Sequence, residues 1–276
     1  MSAEPTPFSV ARAGVTLNGE ESGEGPAVLL LHGLTATRRY VLHGSRTLER
    51  AGHRVITFDA RGHGESSAAP EPGLYDYDEM IADAVAVMDA LGVERAALAG
   101  QSMGAAVAAG LTLRHPERVS ALAVITPAHR GRPSSPHALE RWDRLAAAVS
   151  EGGPEAFVAA LEPFTMEERW RDTVRTVVRQ RIARHRDREA LADTLRNVPR
   201  SAAFDGMEAL GAIAVPTLVV GSSDTADPDH PLEIAQEYAR IIPGARFAME
   251  SQGESPLAWR GGALSKEIAA TIAGAA

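Results

Sequence analysis

The sequence predicts a doubly wound, mostly parallel α/β sheet with an inserted helical lid. Three observations carry this expectation: short apolar runs that end in glycine, helical segments that alternate with them, and one long strand-free, charge-rich stretch. Alternation of this kind favours right-handed crossovers and a ligand site at the carboxyl ends of the strands.

The elements follow in order. PAVLLLHG (26–33) and HRVITFDARGHG (53–64) read as buried parallel strands, because each is a continuous apolar run with a glycine exit. YDEMIADAVAVMDALGV (77–93) sets Met80, Ile81, Ala84, Val87, Met88 and Leu91 at helical spacing, and Gly92 ends it. RAALAG (95–100) is the next strand, followed by a helix from Met103 to about Leu113 and the strand VSALAVIT (119–126).

From His129 to Phe204 the rhythm gives way to segments such as ALERWDRLAAAV and EALADTLRNV. This stretch is expected to be the lid, with the core formed by 1–128 and 205–276 and the insertion by 129–204. VPTLVVGSSD (215–224), PLEIAQEYARII (231–242), ARFAME (245–250) and GGALSKEIAATI (261–272) then resume the alternation. Trp142, Trp170 and Trp259 are expected to pack the lid and the last helix, and RHRDRE (184–189) to be a solvated helix face.

Composition narrows the function. The formal net charge is −8, which argues against nucleic acid or an anionic membrane as the main partner. With no cysteine, thiolate catalysis, disulfides and Cys-ligated metal are excluded. The N-terminal MSAEPTPFSV has no apolar run of signal-peptide type, so a cytoplasmic location is expected. A small-molecule substrate, no cofactor and no metal are expected, and formation of a homo-oligomer is left open.

The chemistry centres on GQSMG (100–104), a G-x-S-x-G between a strand and a helix. In that setting Ser102 occupies a sharp turn, and the glycines let neighbouring backbone pass closely. HGLT (32–35) ends the first long strand, so the N–H groups of Leu34 and Met103 are candidate oxyanion donors.

These residues, with FDARGHGES (58–66) and GSSDTADP (221–228), resemble the α/β-hydrolase fold superfamily of lid-bearing esterases, lactonases and C–C hydrolases. The resemblance implies that Arg61 and His63 are architectural. It maps the catalytic acid onto Asp224, with Asp227 a lesser candidate, and a helix-leading proline onto Pro228.

One position departs from the pattern. The family histidine follows the last strand, and ESQGESPLAW (250–259) puts Glu254 there. The leading expectation is an ester, lactone or related acyl hydrolase in which Ser102 works with an Asp224/Glu254 acid–base pair, two nearby carboxyls sharing a proton. His230 and His129 are alternative bases. The competing expectations are a binding protein that has lost catalysis, and a lyase or cyclase that never acylates Ser102.

Overall fold

The computed structural model describes residues 4–162 and 166–275. An eight-stranded sheet runs in the order β1-β2-β4-β3-β5-β6-β7-β8. β1 (Thr6–Arg12) and β2 (Val15–Ser22) form an antiparallel hairpin, β2 pairs antiparallel with β4 (Arg54–Phe58), and all other neighbours are parallel. The remaining strands are β3 (Ala27–Leu31), β5 (Ala96–Gln101), β6 (Val119–Ile125), β7 (Thr217–Val220) and β8 (Arg246–Ala248).

The hairpin was not foreseen from sequence. Its turn is Ala13-Gly14, both at positive φ, as a two-residue hairpin loop of type I′ requires. Its second strand alternates, with Val15 and Leu17 buried and Thr16 exposed.

The central strands are predominantly apolar because helices cover both faces of the sheet. One face packs α2 (Tyr77–Ala90), α3 (Met103–Arg114) and α7 (Leu232–Ile241) on residues such as Leu29, Leu98 and Val219. The other face packs α1 (Thr47–Arg50) and α8 (Gly261–Ala273) on Val28, Ala97 and Leu218. Asp76 caps α2, its carboxylate accepting from Glu79 N–H at 2.8 Å.

Between β6 and β7 the described residues form α4 (Pro136–Ala160), α5 (Glu168–Ile182) and α6 (Arg188–Asn197), which share a core of their own around Leu145, Phe157, Ile182 and Leu191. α4 bends at Gly153, whose φ of 65° lies outside the helical region, next to Pro154. Trp142 packs against this small core, whereas Trp170 and Trp259 are about half exposed, less covered than expected. Within 184–189, His185 is buried rather than solvated. Among the described residues no helix is long and apolar enough to cross a membrane.

Candidate active site

Ser102 stands between β5 and α3 with φ 54° and ψ −111°, a strained conformation that turns the chain from strand to helix within one residue. The flanking glycines make the turn possible. A Cβ on Gly100 would lie 2.1 Å from Gly104 O, and one on Gly104 would lie 2.1 Å from Leu31 O. No side chain fits there, so the spacing of GQSMG follows from the close approach of three backbone segments.

Leu34 and Thr35 form the centre of a turn closed by Ala36 N–H to Gly33 O at 2.9 Å. Only the last N–H of such a turn is used in closing it, so the turn's hydrogen bond does not involve Leu34 N–H. The buried His63 ring has its Nε2 2.7 Å from Leu34 O and its Nδ1 2.9 Å from Arg61 O. Arg61, fully buried, makes bonds of 2.7 Å to both oxygens of Asp83 and one of 2.6 Å to Leu74 O. The Arg61-His63 loop is thus a brace for the turn that carries Leu34.

The Ser102 hydroxyl meets a histidine that sequence reasoning ranked second. Its Oγ is 2.7 Å from His230 Nε2, and His230 Nδ1 is 2.7 Å from Asp227 Oδ1. The tautomer that satisfies both contacts has Nδ1–H donating to the carboxylate and Nε2 accepting from the serine.

Local sequence explains how one loop supplies both groups. Asp227-Pro228-Asp229-His230 is a turn in which His230 N–H reaches back to Asp227 O at 3.4 Å. Proline suits its second position because its φ is already fixed. Such a turn brings the side chains of its first and last residues together, so Asp227 and His230 pair within a single turn. Pro228 therefore belongs to this turn and does not lead a helix; α7 starts at Leu232, after Pro231.

Burial alone would lower the His230 pKa, but the Asp227 carboxylate outweighs it and the net shift is upward. Burial would likewise raise Asp227, and the His230 contact together with the more distant Arg181 brings it below its ordinary value.

The expected Asp224/Glu254 pair is not assembled. Glu254 is half exposed, and its carboxylate accepts from Arg260 at 2.8 Å instead of meeting Ser102. Gly253, at φ 81°, carries the chain through a turn at the surface after β8. Asp224 Oδ1 is used locally, accepting from Ala226 N–H at 3.0 Å, while Oδ2 is buried without a partner. Burial, then the charges of Asp227 and Glu250, raise its pKa. Asp227, not Asp224, is the acid next to the histidine.

His129 is also elsewhere. It accepts from Ala203 N–H at 3.1 Å and packs between Tyr77 and Phe204, and burial pulls its pKa down to about 4. Glu250, buried at the end of β8, was missed altogether. Its Oε1 accepts from Ser223 N–H at 2.5 Å and from the hydroxyls of Ser222 and Ser223, fastening the start of the loop that bears Asp227 and His230. At the loop's other end, Arg141 of α4 grips both oxygens of Asp229 at 2.8 and 3.1 Å.

The family model of the alpha/beta hydrolase fold matches residues 26–257. The chain belongs to this family.

A relative bearing the name "Putative carbamate hydrolase RutD", from Variovorax paradoxus (strain S110), is 33% identical over 208 residues, covering 74% of this chain and 75% of its own length. A thermophilic esterase from Thermogutta terrifontis superposes with a TM-score of 0.81 at 26% identity, over 99% of both chains. An enol-lactonase from Burkholderia xenovorans LB400 gives 0.77 at 25% identity, over 96% of this chain and 100% of that one. The activity class common to these relatives is hydrolysis, and the present chain is a member of a hydrolase family.

Proposed function

We propose that the protein is a serine hydrolase acting on an ester, lactone or related small acyl compound, with Ser102 as nucleophile, His230 as general base and Asp227 as the acid that orients it. The observation that carries this reading is the 2.7 Å contact between His230 Nε2 and Ser102 Oγ.

A serine hydroxyl attacks well only when a base takes its proton during attack. Here Ser102 Oγ would attack the acyl carbonyl while its proton passes to His230 Nε2. Asp227 holds the ring in the required tautomer and stabilises the imidazolium that forms. The N–H groups of Leu34 and Met103 would receive the developing oxyanion, which is where preorganised donors contribute most. His230 then returns the proton to the leaving oxygen or nitrogen, and water, activated by the same ring, releases the acid and restores Ser102. The helical insertion would serve as the lid that excludes bulk water.

The reading departs from the sequence expectation in its base. Glu254 sits in a surface ion pair with Arg260 and has no part in the proposed proton transfer.

The test is labelling with a fluorophosphonate, read by intact mass, with Ser102→Ala as control. A single adduct that disappears in the control is expected. Absence of any adduct across the neutral and alkaline range would overturn the reading.

A further inference from the structure

The C-terminal end of α5 is fastened beside the proposed catalytic groups. His185, just past that helix, is buried; its Nδ1 accepts from Gly64 N–H at 3.1 Å and its Nε2 lies 3.2 Å from Thr35 O. Arg186 N–H adds a bond to Gly64 O at 3.1 Å. These contacts tie the end of the helix to the turn that carries Leu34. About one helical turn earlier, Arg181 lies within electrostatic reach of Asp227, Asp229, Tyr40 and the His230 ring.

Arg181, half-buried at the end of α5, has an unfilled donor. Its Nε is buried with no hydrogen-bond partner, and among the described residues no carboxylate meets it at ion-pair distance. The two nearby acids are already engaged: Asp227 by His230, and Asp229 by the two-pronged grip of Arg141. They balance the charge of Arg181 through space without filling its donors. A buried Nε–H left in that state is unfavourable, and the planar guanidinium fork matches the two oxygens of a carboxylate.

Location and surroundings narrow the ligand. Asp227 and Asp229 act on Arg181, and Asp224, itself near Glu250, acts on Asp227; a dianion would be repelled by these acids more strongly than a singly charged group, so a carboxylate fits better than a phosphate. We propose that Arg181 is the substrate-recognition residue of this site, selecting acyl compounds that carry a carboxylate close to the scissile bond. The proposal rests on the assignment of Ser102, His230 and Asp227 as the catalytic groups.

The experiment compares p-nitrophenyl hemisuccinate with p-nitrophenyl butyrate, which has an acyl chain of similar length without the charge. The readout is the ratio of their kcat/KM values, in which general damage to the enzyme cancels. The wild type is expected to favour the charged ester, and Arg181→Met to lower that ratio on the order of 100-fold, the worth of a hydrogen-bonded charge pair. Arg181→Lys should retain part of the preference, and it carries the test if the methionine variant does not fold. An equal ratio in wild type and variants overturns the proposal.

A second arm separates recognition from catalysis. Monomethyl succinate is titrated calorimetrically into the Ser102→Ala protein and into the Ser102→Ala/Arg181→Lys protein. Saturable binding that weakens at least several-fold in the double variant supports the subsite, even if no ester is turned over and the catalytic reading has failed. Equal affinity, or no binding to either, overturns it.

Discussion

Replacing His230 and replacing Glu254 should have opposite consequences, and the size of the contrast follows from what each side chain touches. His230→Ala removes the acceptor 2.7 Å from Ser102 Oγ and leaves Asp227 without its partner. Loss of the histidine from a serine triad costs about 10⁶ in turnover, or about 8 kcal/mol of transition-state stabilisation, and leaves only what the oxyanion donors and binding supply. Glu254→Gln breaks a contact to Arg260 in which both side chains are about half exposed. Such a pair contributes at most about 1 kcal/mol to stability, and nothing links it to the reacting atoms. The assay is hydrolysis of p-nitrophenyl butyrate from acidic to alkaline pH, with fluorophosphonate labelling in parallel to count active serines. His230→Ala should fall to the background of Ser102→Ala, while Glu254→Gln should stay within about twofold of wild type. If Glu254→Gln is silent and His230→Ala retains its rate, the base has been assigned to the wrong residue.

Further outcomes follow from the same contacts. Because Asp227 raises the His230 pKa, and the base works in its neutral form, kcat/KM should rise with pH through a midpoint above the ordinary histidine value of 6.5. Asp227→Asn removes the raising charge and leaves burial to dominate, so the midpoint should move to lower pH while the plateau drops about 10⁴-fold; a midpoint that stays put would contradict the pairing. Gly104→Ala forces a Cβ to within 2.1 Å of Leu31 O and should destabilise by about 3 kcal/mol or more, measured by urea unfolding; an unchanged midpoint would refute the close approach. Arg61→Met strips the buried Asp83 of its two-pronged partner and leaves Arg12 at 3.0 Å. A loss of about 3 kcal/mol is expected in the same measurement, and a loss under about 1 kcal/mol would show that Asp83 repairs itself.

The sheet and the serine turn were legible because their causes are local. A buried parallel strand must be apolar on both faces, and a strand-to-helix turn through Ser102 requires small residues where backbones meet at Gly100 and Gly104, so both leave marks in consecutive residues. The β1–β2 hairpin left a weaker mark, an Ala-Gly turn followed by short alternation, and it went unread. The Asp-Pro-Asp-His run carried a readable signal as well, since proline at the second position of a turn sets its first and last residues side by side. The family pattern, which assigns Asp224 as the acid and expects the histidine after the last strand, ranks Asp227 and His230 second.

The amino-acid sequence by itself determined the alternating architecture and the strained turn that carries Ser102. Only the tertiary structure decided which groups stand near that hydroxyl. Glu254 occupies the right place in the chain and turns outward to Arg260, while His230 lies on the loop after β7 and reaches Ser102 at 2.7 Å. The physical reason is that a proton transfer depends on separation in space, to a fraction of an ångström. That separation is set jointly by Glu250 beneath the loop, by Arg141 gripping Asp229 from the insertion, and by the register of β7 against β6 and β8, none of which is a neighbour of Ser102 in sequence.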